Sequence, residues 1–265
     1  AASDVYKRQI VDLKPSGTGY MEDLYKAGGS QRIFYELKDF LYLDAKSVNG
    51  TTLGEEIKNS AKWTQNIITD KSNPVFNAGS IAVLKGTLAP NSAIIKQSAA
   101  TESLLIHEGR AVVFEGLEDL ANRIDRDDLD VTKDDVLVLK SIGPKGGPGM
   151  PEAGLIPIPK KLAKQGVKDM VRISDGRMSG TASGTIILHV TPESYENGPL
   201  AIVENGDLIK LDVPKRKIDL MISEEEIAER LLKRKELSIR RRGYNKIYME
   251  HVTQADRGVD FDFLI

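Results

Sequence analysis

Between Gly19 and Leu43 the apolar residues Met21, Leu24, Tyr25, Ile33, Phe34, Leu37, Phe40 and Leu41 recur at mostly helical spacing, with an interruption at Gly28-Gly29. A side chain buried every three to four residues marks a helix packed on one face, and paired glycines break it, so two short helices are predicted. Residues 54–68 predict a further helix, and the turn formers Thr69-Asp70-Lys71-Ser72-Asn73-Pro74 then make a loop, where a domain boundary is expected. Beyond it the pattern shortens to β-rich runs at 80–84, 93–96, 110–115, 135–140, 169–174, 185–191, 201–203, 207–213 and 217–221. Helices are predicted at 117–124 and 160–165. Ser223 followed by Glu226 forms a capping box that opens a helix through Lys235, and 244–255 reads as a last helix. Phe261, Phe263 and Leu264 are expected to dock the tail that follows. Strands dominate without regular βαβ alternation, so the expected class is mixed α/β with a β-barrel or sandwich.

Composition narrows the partners. A chain of 265 residues with 40% hydrophobic and 29% charged residues reads as an ordinary globular protein of one large or two modest domains. Its formal net charge of -2 gives no electrostatic case for nucleic acid. The basic residues Lys233-Arg234-Lys235 and Arg240-Arg241-Arg242 follow Glu224-Glu225-Glu226, an order that suits the helix dipole and favours a solvated helix end over a polyanion site. No stretch approaches a membrane span, and Ala1 to Gln9 lack the apolar core of a signal peptide, so a cytoplasmic protein is expected. The absence of cysteine excludes disulfides and any thiolate-held cluster supplied by this chain.

Two glycine-rich stretches carry the candidate chemistry. Gly143-Pro144-Lys145-Gly146-Gly147-Pro148-Gly149-Met150-Pro151-Glu152 and Ser174-Asp175-Gly176-Arg177-Met178-Ser179-Gly180-Thr181 each set polar groups among small residues. Backbone amides can approach an anion or a metal-held ligand closely there, because no Cβ stands in the way. A serine hydroxyl such as Ser179 is a poor base until neighbours stabilise its alkoxide, and Arg177 with the amides of Gly180 and Thr181 are local candidates. The other reading of Ser179 is a turn serine bonding its own backbone. Glu152 is a hard oxygen ligand suited to magnesium, or else a cap for the next segment. His107, His189 and His251 show no ligand spacing, which favours structural or surface roles, and Lys145 is either an anion contact or simply solvated. No Walker motif ends the first stretch, and Gly17-Thr18-Gly19 lacks the dinucleotide spacing.

Taken together, residues 143–152, 171–181, His189-Val190-Thr191-Pro192-Glu193 and Gly198-Pro199-Leu200-Ala201 resemble the C-terminal half of the dihydroxy-acid and sugar-acid dehydratases. The likeness extends through 13–17, 27–29, 48–50 and 79–86, and onward to 254–256 and 260–264. Met178 and the run 180–185 resemble the branch acting on sugar acids such as arabinonate or xylonate. Phosphogluconate dehydratases share Asp175-Gly176-Arg177-Met178-Ser179-Gly180, and the branched-chain dihydroxy-acid enzymes are a further alternative.

The resemblance implies a β-barrel-like swivelling domain with flanking helices over 76–265, preceded at 11–75 by the helical end of an α/β N-terminal domain. Residues 1–10 resemble nothing in the family and read as an artefact fused to a truncated gene. It also implies a hydro-lyase of carbohydrate metabolism that converts a 2,3-dihydroxy acid into a 2-keto-3-deoxy acid. In that reaction Ser179 matches the base that takes the C2 proton, Thr181 lines the substrate pocket and Glu152 is a magnesium ligand. The family's iron-sulfur cluster would be held by cysteines in an N-terminal half, and these are missing here. The chain alone is therefore expected to be inactive, and the full-length enzyme to be a homo-oligomer, dimer or tetramer. A non-catalytic domain that binds small anions is the expectation of another class.

Overall fold

The computed structural model describes residues 8–58, 60, 65–77, 79–234 and 242–264, arranged in two compact units over 1–80 and 81–265. The first unit carries helices α1 (Met21–Lys26), α2 (Gly29–Glu36) and α3 (Leu53–Lys58), and single bridges join Gln9 to Phe76 and Val11 to Ile68. Gly28, with φ of 106°, caps the start of α2, and Gly29, with φ of 59°, opens it, backbone states that glycine adopts without strain. The helix expected over 54–68 is shorter than its pattern. Of that range, residues 59 and 61–64 lie outside the described residues, and the chain is not helical at 65–68. There the Gln65 side-chain oxygen accepts the N–H groups of Ile67 at 2.8 Å and Ile68 at 2.7 Å, an alternative to helical bonding.

The second unit is an eight-stranded sheet in the order β1-β2-β6-β5-β4-β3-β7-β8. Its strands are β1 (Ala82–Leu84), β2 (Ser92–Ile95), β3 (Ile106–Phe114), β4 (Val136–Leu139), β5 (Arg172–Ser174), β6 (Ile186–Thr191), β7 (Leu208–Asp212) and β8 (Lys217–Leu220). The pairs β3/β4, β4/β5 and β5/β6 are parallel and the others antiparallel. After β1 the chain meets β8: Lys85 N–H donates to Arg216 O at 3.0 Å and Thr87 N–H to Asp219 Oδ1 at 2.9 Å. The sheet thereby almost closes into a barrel, which covers part of its two edge strands.

Alternation along the strands explains the two cores. Every strand sends residues to the inner cluster, among them Leu84, Ile95, Val113, Val138, Ile173, Ile187, Leu211 and Ile218. Their neighbours Val112, Phe114, Leu137 and Leu139 point outward, where α4 (Leu117–Arg123) brings Leu120 and α5 (Lys160–Lys164) brings Leu162. All four residues of β4 are buried, as parallel strands covered on both faces require.

One expected strand is absent. Residues 201–203 fall at the end of a single 3-10 turn, Pro199–Ile202, because Pro199 has no N–H for a ladder and Ala201 N–H turns back to Gly198 O at 2.9 Å. Helix α6 (Glu224–Lys233) opens as expected, with Ser223 Oγ accepting from Glu226 N at 3.1 Å. Lys235, Arg240 and Arg241, parts of the expected helix end and basic cluster, lie outside the described residues, as do Ala1 to Lys7 of the N-terminal tail and Ile265. Helix α7 (Tyr244–His251) stops short of Ala255, since Val252 turns extended and bridges Phe261. Phe261 docks the tail edge-on against Tyr248 at 5.8 Å, whereas Phe263 and Leu264 stay exposed.

Candidate functional site

Both glycine-rich stretches leave the same end of the parallel strands, one after β4 and the other after β5, and the fold packs them against each other. Buried polar groups fix the first. Asp175, wholly buried, accepts the N–H groups of Ser141 at 3.3 Å, Ile142 at 3.0 Å and Ser194 at 2.9 Å. Glu193, also wholly buried, accepts from Lys145 at 2.9 Å, Gly146 at 2.9 Å and the Gln254 side chain at 2.6 Å. Burial pushes both carboxyls up, against the downward pull of the N–H donors. Arg172, buried beneath the loop, donates to Leu155 O at 3.0 Å and Ile156 O at 3.1 Å and pairs with Asp169 at 2.7 Å.

The amides expected to receive an exogenous anion are thus partly taken by the protein itself. Lys145 N–H and Gly146 N–H belong to Glu193, and the Lys145 ammonium pairs with Glu196 at 2.5 Å rather than standing free. What remains available is the rim formed by the second stretch. Arg177 joins the two: its Nε donates to Met150 O at 2.8 Å, its Nη2 lies 3.3 Å from Glu152 Oε1, and its carbonyl accepts Gly154 N–H at 2.7 Å.

Beyond Arg177 the chain turns, and Ser179 Oγ and Thr181 Oγ1 lie 3.0 Å apart. Ala182 N–H closes the turn on Ser179 O at 3.1 Å, and Thr181 N–H approaches Ser179 Oγ at 3.5 Å. Ser179 therefore has the local bonds of a turn serine and a hydroxyl partner that can orient its proton. A Cβ on Gly180 would meet nothing within 4 Å, so the space over this turn is open. The Lys96 ammonium, from the end of β2, donates to Gly180 O at 2.9 Å, and burial lowers its pKa. Sequence spacing gave no sign of Lys96, because β2 and this turn are 84 residues apart.

Glu152 faces Arg177 and is half-exposed. Among the described residues, no group of three or more His, Cys, Asp or Glu side chains is gathered so as to hold a metal ion. His107 hydrogen-bonds Asp134 O and His251 meets Asp262, both at 2.9 Å, so neither enters the site. His189 differs: its backbone N–H donates to Gly176 O at 3.1 Å, next to Arg177.

Two sequence profiles match the chain. The dihydroxy-acid/6-phosphogluconate dehydratase C-terminal domain matches residues 66–259, and the corresponding N-terminal domain matches residues 5–56. The chain belongs to the dihydroxy-acid/6-phosphogluconate dehydratase family. Among its relatives is the L-arabinonate dehydratase of Rhizobium leguminosarum bv. trifolii, 45% identical over 96% of this chain and 45% of that protein. The 6-deoxy-6-sulfo-D-gluconate dehydratase of Pseudomonas putida is 41% identical over 96% of the chain and 45% of its own length. The dihydroxy-acid dehydratase of Carboxydothermus hydrogenoformans is 42% identical over 94% and 45% respectively. The chain therefore spans about half the length of the curated dehydratases it matches. Among the described residues of this family member, no helix is long and apolar enough to cross a membrane.

Proposed function

We propose that the chain supplies one wall of the active site of a sugar-acid dehydratase, a hydro-lyase that takes a 2,3-dihydroxy acid to a 2-keto-3-deoxy acid. Residues 76–265 are its C-terminal barrel domain and residues 11–75 the end of its N-terminal domain. The observation that carries this reading is the Ser179–Thr181 hydroxyl pair at 3.0 Å, set in an open turn whose Gly180 carbonyl is bonded by the Lys96 ammonium. That nearby cation suits an anionic substrate and lowers the cost of a transient alkoxide.

In this mechanism Ser179 Oγ, as the alkoxide, takes the C2 proton, and the electron pair of that C–H bond forms the C2–C3 double bond as the C3 hydroxyl leaves; the departing hydroxide takes the proton from the serine, so that water is released and the alkoxide restored. The resulting enol becomes the 2-keto acid by gaining a solvent proton at C3 and losing its C2 hydroxyl proton to solvent. Thr181 orients the serine oxygen and, with Arg177, holds the acid. The names of the arabinonate and sulfogluconate relatives favour a polyhydroxy acid as substrate.

The two inorganic groups implied by the family fit this chain poorly. With no cysteine it offers an iron-sulfur cluster no thiolate, and Glu152 is a single carboxylate where magnesium needs several oxygens in near-octahedral order. Glu152 would at most complete a magnesium shell supplied elsewhere. A cytoplasmic homo-oligomer is the corresponding proposal for the whole enzyme.

The test is to pair this chain with the N-terminal half of the Rhizobium L-arabinonate dehydratase and assay the conversion of L-arabinonate to its 2-keto-3-deoxy product. Recovered turnover, absent from either half alone, is expected. Binding of L-arabinonate without turnover on pairing would favour a non-catalytic anion-binding domain and overturn the proposal.

A further inference from the structure

A break in strand alternation singles out His189. Along the β2/β6 pair Ser92 faces Thr191 and Ile94 faces Leu188, so between them the single residue Ala93 stands opposite both His189 and Val190. This is a β-bulge, a device that re-aims a side chain. Ile187 and Val190 both enter the inner barrel core, and without the extra residue His189 would take the inward position. The bulge instead leaves Leu188 and His189 outside that core. Leu188 packs where a Cβ on Gly154 would stand, 2.5 Å from its Cδ2, and the His189 N–H bonds Gly176 O.

Two further facts set this histidine apart. Its φ is +53°, a left-handed conformation that is strained in a non-glycine residue and persists where the surroundings enforce it. Met150 in the first loop and Ser141 and Ile156 flanking it also have positive φ. The half-buried imidazole also has no hydrogen-bond partner among the described residues. Burial, assisted by the Arg177 charge, holds it below the ordinary histidine range. It is neutral near pH 7, with one N–H to donate and one nitrogen to accept.

We infer that His189 is a further ligand-binding residue of the candidate site, whose imidazole hydrogen-bonds a hydroxyl or carboxylate oxygen of a polyhydroxy acid. The inference rests on the sugar-acid reading above. A residue kept only for its backbone would be improved by glycine, which adopts positive φ freely, whereas a residue kept for its ring would not.

The experiment compares the parent 265-residue chain with His189→Gly, His189→Asn and Thr181→Val, using L-arabinonate as probe. Binding is followed by NMR titration of the backbone amides and imidazole nitrogens, and folding by thermal unfolding. His189→Gly is expected to weaken binding about tenfold, the loss of roughly one hydrogen bond, without lowering the unfolding temperature. His189→Asn tolerates left-handed backbone and keeps a donor and an acceptor, so it should retain part of the affinity. Parent-like affinity in His189→Gly alongside weakened binding in Thr181→Val overturns the inference and leaves the site reading standing. Failure of L-arabinonate to shift either the Ser179–Thr181 amides or the His189 ring in the parent overturns both.

Discussion

A Cβ added to Gly143 would stand 2.6 Å from Oε2 of Glu193 and 2.9 Å from its Cβ. The glycine at the head of the loop and the carboxylate 50 residues later form one packed unit: closeness at Gly143 lets Glu193 reach the N–H groups of Lys145 and Gly146. Gly143→Ala should therefore destabilise the second unit by about 1–3 kcal/mol through overpacking. Glu193→Gln should cost a similar amount, about 1–3 kcal/mol, because its amide group would turn an N–H toward donors in a buried site. Urea unfolding followed by circular dichroism measures both. An unchanged midpoint in Gly143→Ala would contradict the packing described.

Acid should loosen the other end of β5. Asp169 accepts from Thr101 Oγ1 at 2.7 Å and Thr185 N–H at 2.9 Å and pairs with Arg172 at 2.7 Å. Burial alone would raise its pKa, but the Thr101 and Thr185 hydrogen bonds and the Arg172 charge together hold it below the ordinary aspartate value. A carboxylate depressed in the folded state contributes stability above its unfolded pKa of about 3.9, and this is lost as pH falls through the folded value. Asp169→Asn should cost about 3 kcal/mol at pH 7 by leaving Arg172 buried and unpaired. The gap from the parent should start to shrink as pH falls below about 4, where Asp169 of the unfolded chain takes up its proton, and should go on shrinking until pH has passed through the lower folded value. Unfolding curves at pH 7, 5 and 3 test this, and a gap independent of pH would sink it.

Much of the barrel was legible in the sequence because its buried strands are short apolar runs rich in β-branched residues, bounded by turn formers. Runs rich in β-formers marked β4 to within one residue at each end, and β3 to within one residue at its end but four at its start, where the largely polar Ile106–Gly109 segment hides the strand. The failure at 201–203 has a local cause: apolar residues there are wound into a turn by Pro199, whose missing N–H outweighs β-propensity. At the site, the glycine-rich composition drew attention to the two loops and to Ser179 and Glu152 within them, whereas Thr181 as a substrate contact came from the family resemblance. That composition gave no sign that Glu193 and Asp175 take the loop amides, since those partners come from other strand ends. His189 was illegible for a related reason. Its placement follows from the register of β6 against β2, which no single segment encodes.

Magnesium affinity offers a separate check on Glu152. Glu152 is half-exposed and already faces Arg177, and among the described residues no three acidic or histidine side chains gather to hold a metal, so saturable magnesium binding by the isolated chain tighter than the millimolar range is not expected by titration calorimetry. In the paired enzyme, Glu152→Gln should raise the magnesium concentration needed for half-maximal activity. Unchanged magnesium dependence there would assign Glu152 to pairing with Arg177 alone.

Ser179 carries the sharpest prediction. Proton abstraction needs a base within hydrogen-bond reach of C2, and its loss lowers turnover by roughly two to four orders of magnitude. Ser179→Ala removes that oxygen with almost no change in bulk. The turn should survive, because Ala182 N–H bonds the Ser179 carbonyl rather than its side chain. Thr181→Val deletes the hydroxyl 3.0 Å from Ser179 Oγ, so it should raise KM for the acid and also lower kcat modestly by freeing the serine proton to rotate. The measurement uses the paired enzyme on L-arabinonate, following exchange of the C2 proton with solvent deuterium separately from product formation. Loss of both exchange and product in Ser179→Ala is the expected result. If exchange continues at the parent rate while only product formation falls, another group removes the C2 proton and Ser179 is not the base.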